Sequence, residues 1–80
     1  MSERARMLGE RVELRQKRQR VAVNCTALRE RLRALASPAL AAGEMDRDAI
    51  LDTAVVLHTE LGELQLLGAK LDILNRELGG

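Results

Sequence analysis

Two ladders of apolar residues, each repeating every seven positions, dominate the chain. The first ladder lies in the N-terminal half and consists of Met7, Leu14, Val21, Leu28 and Leu35. The second lies in the C-terminal half and consists of Ile50, Leu57, Leu64, Leu71 and Leu78. A sustained heptad repeat is typical of a helix that packs one face along another helix. The ladders therefore predict two long helices that share a core seam.

A breaker stretch separates the two ladders. It contains Pro38, which disfavours a helical conformation of the serine before it. Helix 1 is therefore expected over about residues 2–36, with Ser2 as its N-cap. Residues 37–45 should form the connector, with a short helical turn over residues 38–42 that the following glycine closes. The alternative is that helix 2 already begins at the serine before Pro38.

Helix 2 is expected over about residues 46–78. Asp46 is a suitable N-cap, and Gly79 and Gly80 should end the helix. The whole chain, residues 1–80, then forms a single domain of the all-α class, an antiparallel two-helix hairpin. The pairing register follows only to within a few residues, with the numbers of facing residues adding up to about 82.

Helix 2 carries more apolar residues than one partner helix can cover. Its second seam is expected at Ala54, Leu61, Gly68 and Asn75. The candidate protein-interface residues are the apolar side chains left over, Leu51, Val55, Leu67 and Leu74. Two hairpins that pair by two-fold symmetry into a four-helix bundle would bury them. A tetramer, or a bundle with a different protein, remains open.

The composition narrows the classes of protein to consider. The chain has no aromatic residue, so it cannot stack nucleic-acid bases on rings, and its single cysteine cannot form an internal disulfide. The charged N-terminus is followed by no signal-peptide-like apolar run. No segment approaches the roughly 20 apolar residues of a membrane span. We therefore expect a soluble, cytoplasmic protein without a membrane contact or a cofactor.

Charge is distributed unevenly between the two helices. Residues 1–36 hold ten basic and four acidic residues, a net charge of +6, and residues 37–80 hold three basic and eight acidic residues, a net charge of −5. The densest cluster, which we call the basic block, consists of Arg15, Lys17, Arg18 and Arg20. A basic helix face can bind nucleic-acid phosphates. Pairing with Glu60 and Glu63 across the hairpin is the interpretation we favour, because the overall charge is near zero.

Two further groups of residues could carry chemistry. Arg4, Arg11 and Arg18 recur every seven residues beside the seam and could bind a carboxylate ligand in a small bundle enzyme. The simpler interpretation is that their stems cover apolar neighbours while their heads reach water. His58 and Cys25 are too few to form a closed zinc site, so no metal site is predicted.

The pattern as a whole favours a non-enzymatic helical interaction protein. It would act as an adaptor, a chaperone-like protein or a regulatory factor through coiled-coil contacts. We expect it to form a homodimer or a higher homo-oligomer and to bind a protein partner whose identity the sequence does not reveal. The alternatives are a nucleic-acid-binding regulator that uses the basic block and a small all-helical bundle enzyme.

Overall fold

Two long α-helices, folded back on each other, make up the chain in a computed structural model that describes residues 2–79. Helix α1 spans Glu3–Leu35 and helix α2 spans Arg47–Glu77. They pack side by side in a rod that measures 60 × 17 × 16 Å. The predicted all-α fold, a two-helix hairpin, is confirmed.

Both helices begin at the polar side chains expected as caps. The Ser2 hydroxyl accepts a hydrogen bond from the Ala5 N–H at 3.1 Å, and the Asp46 carboxylate accepts one from the Ala49 N–H at 3.1 Å. Each bond satisfies a backbone donor that has no partner within the first turn of its helix. The helix starts are therefore determined locally by the sequence.

A glycine in the left-handed conformation ends α2. Gly79 has a φ of 73°, and its N–H donates to the Arg76 carbonyl at 3.2 Å. A residue with a Cβ is strained in this conformation, which is why glycine is common directly after a helix. The predicted stop at Gly79 is thus present, and Gly80 lies outside the described residues.

The connector differs from the helical turn expected over residues 38–42. A tight turn closes first, where the Leu40 N–H donates to the Ser37 carbonyl at 3.0 Å. The Ser37 hydroxyl also accepts a hydrogen bond from the Ala39 N–H at 3.2 Å. Such local bonds compete with helix formation. A single 3₁₀ turn follows at Ala42–Glu44, so Gly43 lies inside it instead of closing a turn. Helix α2 does not begin at Ser37.

The core is a narrow apolar strip along the contact between the helices. Of the ten ladder residues, Val21, Leu71 and Leu78 are buried, and the other seven are half-buried. At mid-length, the buried side chains of Val21, Cys25 and Leu67 pack together, with Leu14, Leu57 and Leu64 against them. The ladders therefore lie on the facing sides of the two helices.

Three polar contacts between side chains record the register of the hairpin. The Arg31 Nε donates to the Thr53 hydroxyl at 3.4 Å near the turn. Lys17 Nζ lies 3.2 Å from a Glu63 carboxylate oxygen at mid-length. The Arg11 guanidinium donates to the Asn75 side-chain oxygen at 3.4 Å towards the open end. These pairs lie within a few residues of the expected register, in which facing residue numbers add up to about 82.

The second seam of α2 lies one residue earlier than expected. The expected positions were Ala54, Leu61, Gly68 and Asn75, but the buried residues are Thr53, Leu67 and Leu74. Full burial of a leucine side chain contributes about 1.5–3 kcal/mol, whereas a glycine offers no side chain to bury. The helix is therefore rotated so that Leu67 and Leu74 face α1. Both were expected to be exposed, and that expectation is corrected because they are only 2% and 8% exposed.

Candidate protein-interaction surface

Helix α2 carries a second apolar surface that α1 does not cover. Four large side chains remain more than half exposed there: Leu51 (61%), Val55 (55%), Leu66 (53%) and Ile73 (52%). Gly62 and Ala69, which are also exposed, lie between them along the helix. We call these six residues the outer stripe.

The outer stripe lies on the opposite side of α2 from the core. Gly62 precedes the buried Leu71 by nine residues, which at about 100° per residue amounts to two and a half helical turns. From Leu51 to Ile73 the stripe is roughly 33 Å long at 1.5 Å per residue. One face of α2 is therefore buried against α1, and the opposite face presents apolar side chains to solvent.

The predicted interface residues divide between these two faces. Leu51 and Val55 belong to the outer stripe, whereas Leu67 and Leu74 belong to the core. Their immediate neighbours Leu66 and Ile73 take their places on the exposed side. The exposed face could have been recognised from a second heptad spacing in the sequence. This spacing links positions 66 and 73, and also positions 55, 62 and 69. The sequence alone did not reveal this face, because Leu67 and Leu74, the leucines that follow positions 66 and 73, could equally well be assigned to the exposed face.

The basic block lies on the exposed surface of α1. Its Lys17 forms the expected pair with Glu63, but both side chains are substantially exposed, and such pairs contribute only about 0–1 kcal/mol. The other three residues of the block are also exposed, and within residues 2–79 none of them has a carboxylate within 4.0 Å. Glu60, the second expected partner, is half-buried in an open cleft between the helices, which Arg20 also lines.

The three arginines that recur beside the seam, Arg4, Arg11 and Arg18, do not converge on one site. Arg11 is half-buried and bonded to Asn75, and its Nε is buried without a hydrogen-bond partner among the described residues. Arg4 and Arg18 are exposed. Residues seven apart on one helix are about 10 Å apart along its axis. The three guanidinium groups are thus spread along α1.

The two candidate metal ligands lie on different faces of α2. Cys25 is buried in the core against its inner face, whereas His58 is exposed and lies between Val55 and Gly62 along the outer stripe. Within residues 2–79, the structure contains no group of three or more His, Cys, Asp or Glu side chains placed to hold a metal ion.

The outer stripe is the feature from which a function can be inferred. Neither helix of the described chain contains an apolar stretch long enough to cross a membrane. The chain matches no protein-family model, no curated protein and no solved structure. The outer stripe is an extended apolar surface that packing against α1 does not account for.

Proposed function

We propose that this protein is a non-enzymatic helical interaction protein that acts as an adaptor or regulatory factor. Its outer stripe binds the apolar face of another helix by coiled-coil-type packing. The observation that carries this proposal is the stripe itself, because long contiguous apolar surfaces mark interaction sites in soluble proteins. Recognition of an amphipathic helix through residues spaced three and four apart suits a surface of this shape.

The exposed area of the chain supports the proposal. A compact monomer of 8.9 kDa exposes about 4,800 Å², whereas this hairpin exposes 5987 Å². The excess of about 1,200 Å² is comparable with the roughly 800 Å² that each partner buries in a protein–protein interface of standard size. The radius of gyration of 17.9 Å, against about 12 Å for a compact domain of this length, reflects the same elongated shape.

Site-specific photo-cross-linking tests the proposal. A photoreactive amino acid replaces Leu66 in the outer stripe or, as a matched control, Val23, which is equally exposed but lies on α1. The chain is then irradiated in its native cells. We expect cross-links from position 66 to a helical segment of another polypeptide, either a second copy or a different protein, and few from position 23. Equal labelling from both positions, or none from position 66, would contradict the proposal.

Nucleic-acid binding through the basic block is the second candidate. It is favoured by the exposure of Arg15, Arg18 and Arg20, whose guanidinium groups are free to contact phosphates. The acidic α2 beside the block opposes it, because its negative charges reduce the local positive potential. Recovery of RNA from the same irradiated cells, dependent on the basic block and independent of Leu66, would favour this candidate over the first.

A further inference from the structure

The outer stripe is nearly symmetrical about its own midpoint. Gly62 lies at the centre, eleven residues from both Leu51 and Ile73 and seven residues from both Val55 and Ala69. A helix that runs in the opposite direction along this face would therefore present apolar residues at the same levels. We propose that the occupant of the outer stripe is a second copy of the chain, packed antiparallel along α2 with the two-fold axis at Gly62. The proposal rests on the interaction function inferred above.

In this arrangement the outer levels of the contact pair apolar side chains, whereas Leu66 faces His58 of the partner subunit. Leu51 faces Ile73 of the partner subunit, and Val55 faces Ala69 of the partner subunit, a larger residue against a smaller one. The contact is self-complementary, as a two-fold interface requires. Each of these pairs occurs twice because of the symmetry, so both halves of the stripe are in contact with the partner subunit.

The packing of the hairpin does not require a glycine at position 62. A Cβ built at Gly62 would meet nothing within 4 Å, so the hairpin has room for a side chain there. A glycine inside a helix nevertheless costs about 1 kcal/mol relative to alanine. On the two-fold axis, facing Gly62 of the partner subunit, the missing side chain would let the two backbones approach closely. A contact between copies thus accounts for a residue that the fold alone does not need.

Charge favours the antiparallel direction over the parallel one. Residues 46–52 contain three aspartates and one arginine, a net charge of −2, whereas residues 72–78, which lie level with them in the antiparallel pair, contain one basic and two acidic residues, a net charge of −1. A parallel pair would place the two acidic ends together. An antiparallel pair places each of these ends beside the less acidic end, with Asp48 level with Arg76 of the partner subunit. The helix dipoles, which point in opposite directions in an antiparallel pair, also favour this arrangement.

The resulting assembly differs from a square four-helix bundle. Because the outer stripe faces away from α1, the second hairpin would add on the far side of α2. The four helices would then lie side by side, with the two α2 helices in the middle and the two α1 helices at the edges. Each α2 would be buried on both of its apolar faces, which matches its two heptad patterns.

Disulfide trapping in a Cys25→Ala background tests the register directly. Gly62→Cys should form a covalent dimer under mild oxidation, because a disulfide needs Cβ atoms about 3.5–4.5 Å apart and the two copies of residue 62 meet on the axis. Val55→Cys should not link to itself, since its two copies would lie about 21 Å apart along the helix axes. A mixture of Val55→Cys and Ala69→Cys chains should form the mixed disulfide.

Several outcomes would overturn the inference. If Val55→Cys links to itself as readily as Gly62→Cys, the pairing is parallel. If the wild-type chain sediments as an 8.9 kDa monomer at every concentration up to the millimolar range, there is no second copy. A monomer whose residue 66 still cross-links to a different protein in cells would refute this inference and leave the proposed function standing. Circular dichroism of each cysteine variant verifies that the hairpin is retained.

Discussion

Replacement of Leu71 by alanine should separate the role of the core from that of the outer stripe. Leu71 is 1% exposed and faces α1, whereas Leu66, on the opposite side of the same helix, is 53% exposed. The two substitutions remove the same atoms from the same helix. Any difference in their effects therefore reports the different surroundings of the two side chains.

The expected magnitudes differ clearly. Leu71→Ala loses the transfer energy of a fully buried side chain and leaves a cavity, for a cost of about 2–5 kcal/mol. Domains of this size have a free energy of unfolding of only ~4–12 kcal/mol. Leu66→Ala removes a side chain that is half exposed to solvent. In the isolated hairpin it should therefore lower the free energy of unfolding by less than half of the full burial energy, below about 1.5 kcal/mol. A loss of 2 kcal/mol corresponds to a drop in Tm of about 8 °C or more.

Thermal and urea denaturation, followed by circular dichroism across a range of protein concentrations, measures both effects. Leu71→Ala should lower the Tm at all concentrations. Leu66→Ala should have a small effect at the lowest concentration and a larger one at high concentration, because association stabilises the folded chain by mass action. If Leu66→Ala costs as much as Leu71→Ala in dilute solution, the assignment of these residues to opposite faces is wrong.

Three further predictions concern the surface, the helix end and the buried threonine. Replacement of the four residues of the basic block by glutamine should leave the helical content intact and change nucleic-acid binding little. Tight binding in 150 mM salt that the substitution abolishes, with the salt slope falling by about 0.9 per lost duplex-DNA contact, would instead support the nucleic-acid candidate. Gly79→Ala should lower the free energy of unfolding by about 1 kcal/mol because of its positive φ, whereas Gly43→Ala, without that strain, should not. Thr53→Val should be tolerated within about 1 kcal/mol, because its partner Arg31 can turn to solvent, and urea denaturation can verify this.

The two helices could be predicted because the sequence signals that define them are local. The heptad ladders, the caps at Ser2 and Asp46 and the stop at Gly79 each depend on a few neighbouring residues. The connector was less predictable, because local hydrogen bonds around Ser37 compete with the formation of a helical turn.

The rotation of α2 was the part that the sequence left ambiguous. Residues at i+3 and i+4 from a ladder position lie on either side of the same seam, so Leu67 and Gly68 were both geometrically acceptable after Leu64. The choice depends on how much apolar area α1 can cover, which is a property of the packed pair and not of α2 alone. The same rotation determines which residues remain outside, and for that reason the exposed face was half correct, with Leu51 and Val55 but without Leu66 and Ile73.

The contrast between the two helices also bears on how the candidate functions relate to each other. In the proposed antiparallel assembly the two α2 helices, each in an acidic half of the chain, occupy the middle, and the basic α1 helices lie at the edges. The basic block would therefore stay exposed in the dimer and appear twice. Self-association through the outer stripe and phosphate binding through the block are thus compatible rather than competing. If both occur, Leu66→Glu should halve the number of phosphates contacted per particle and so halve the salt slope of nucleic-acid binding. Substitution of the block should leave the sedimentation of the dimer unchanged.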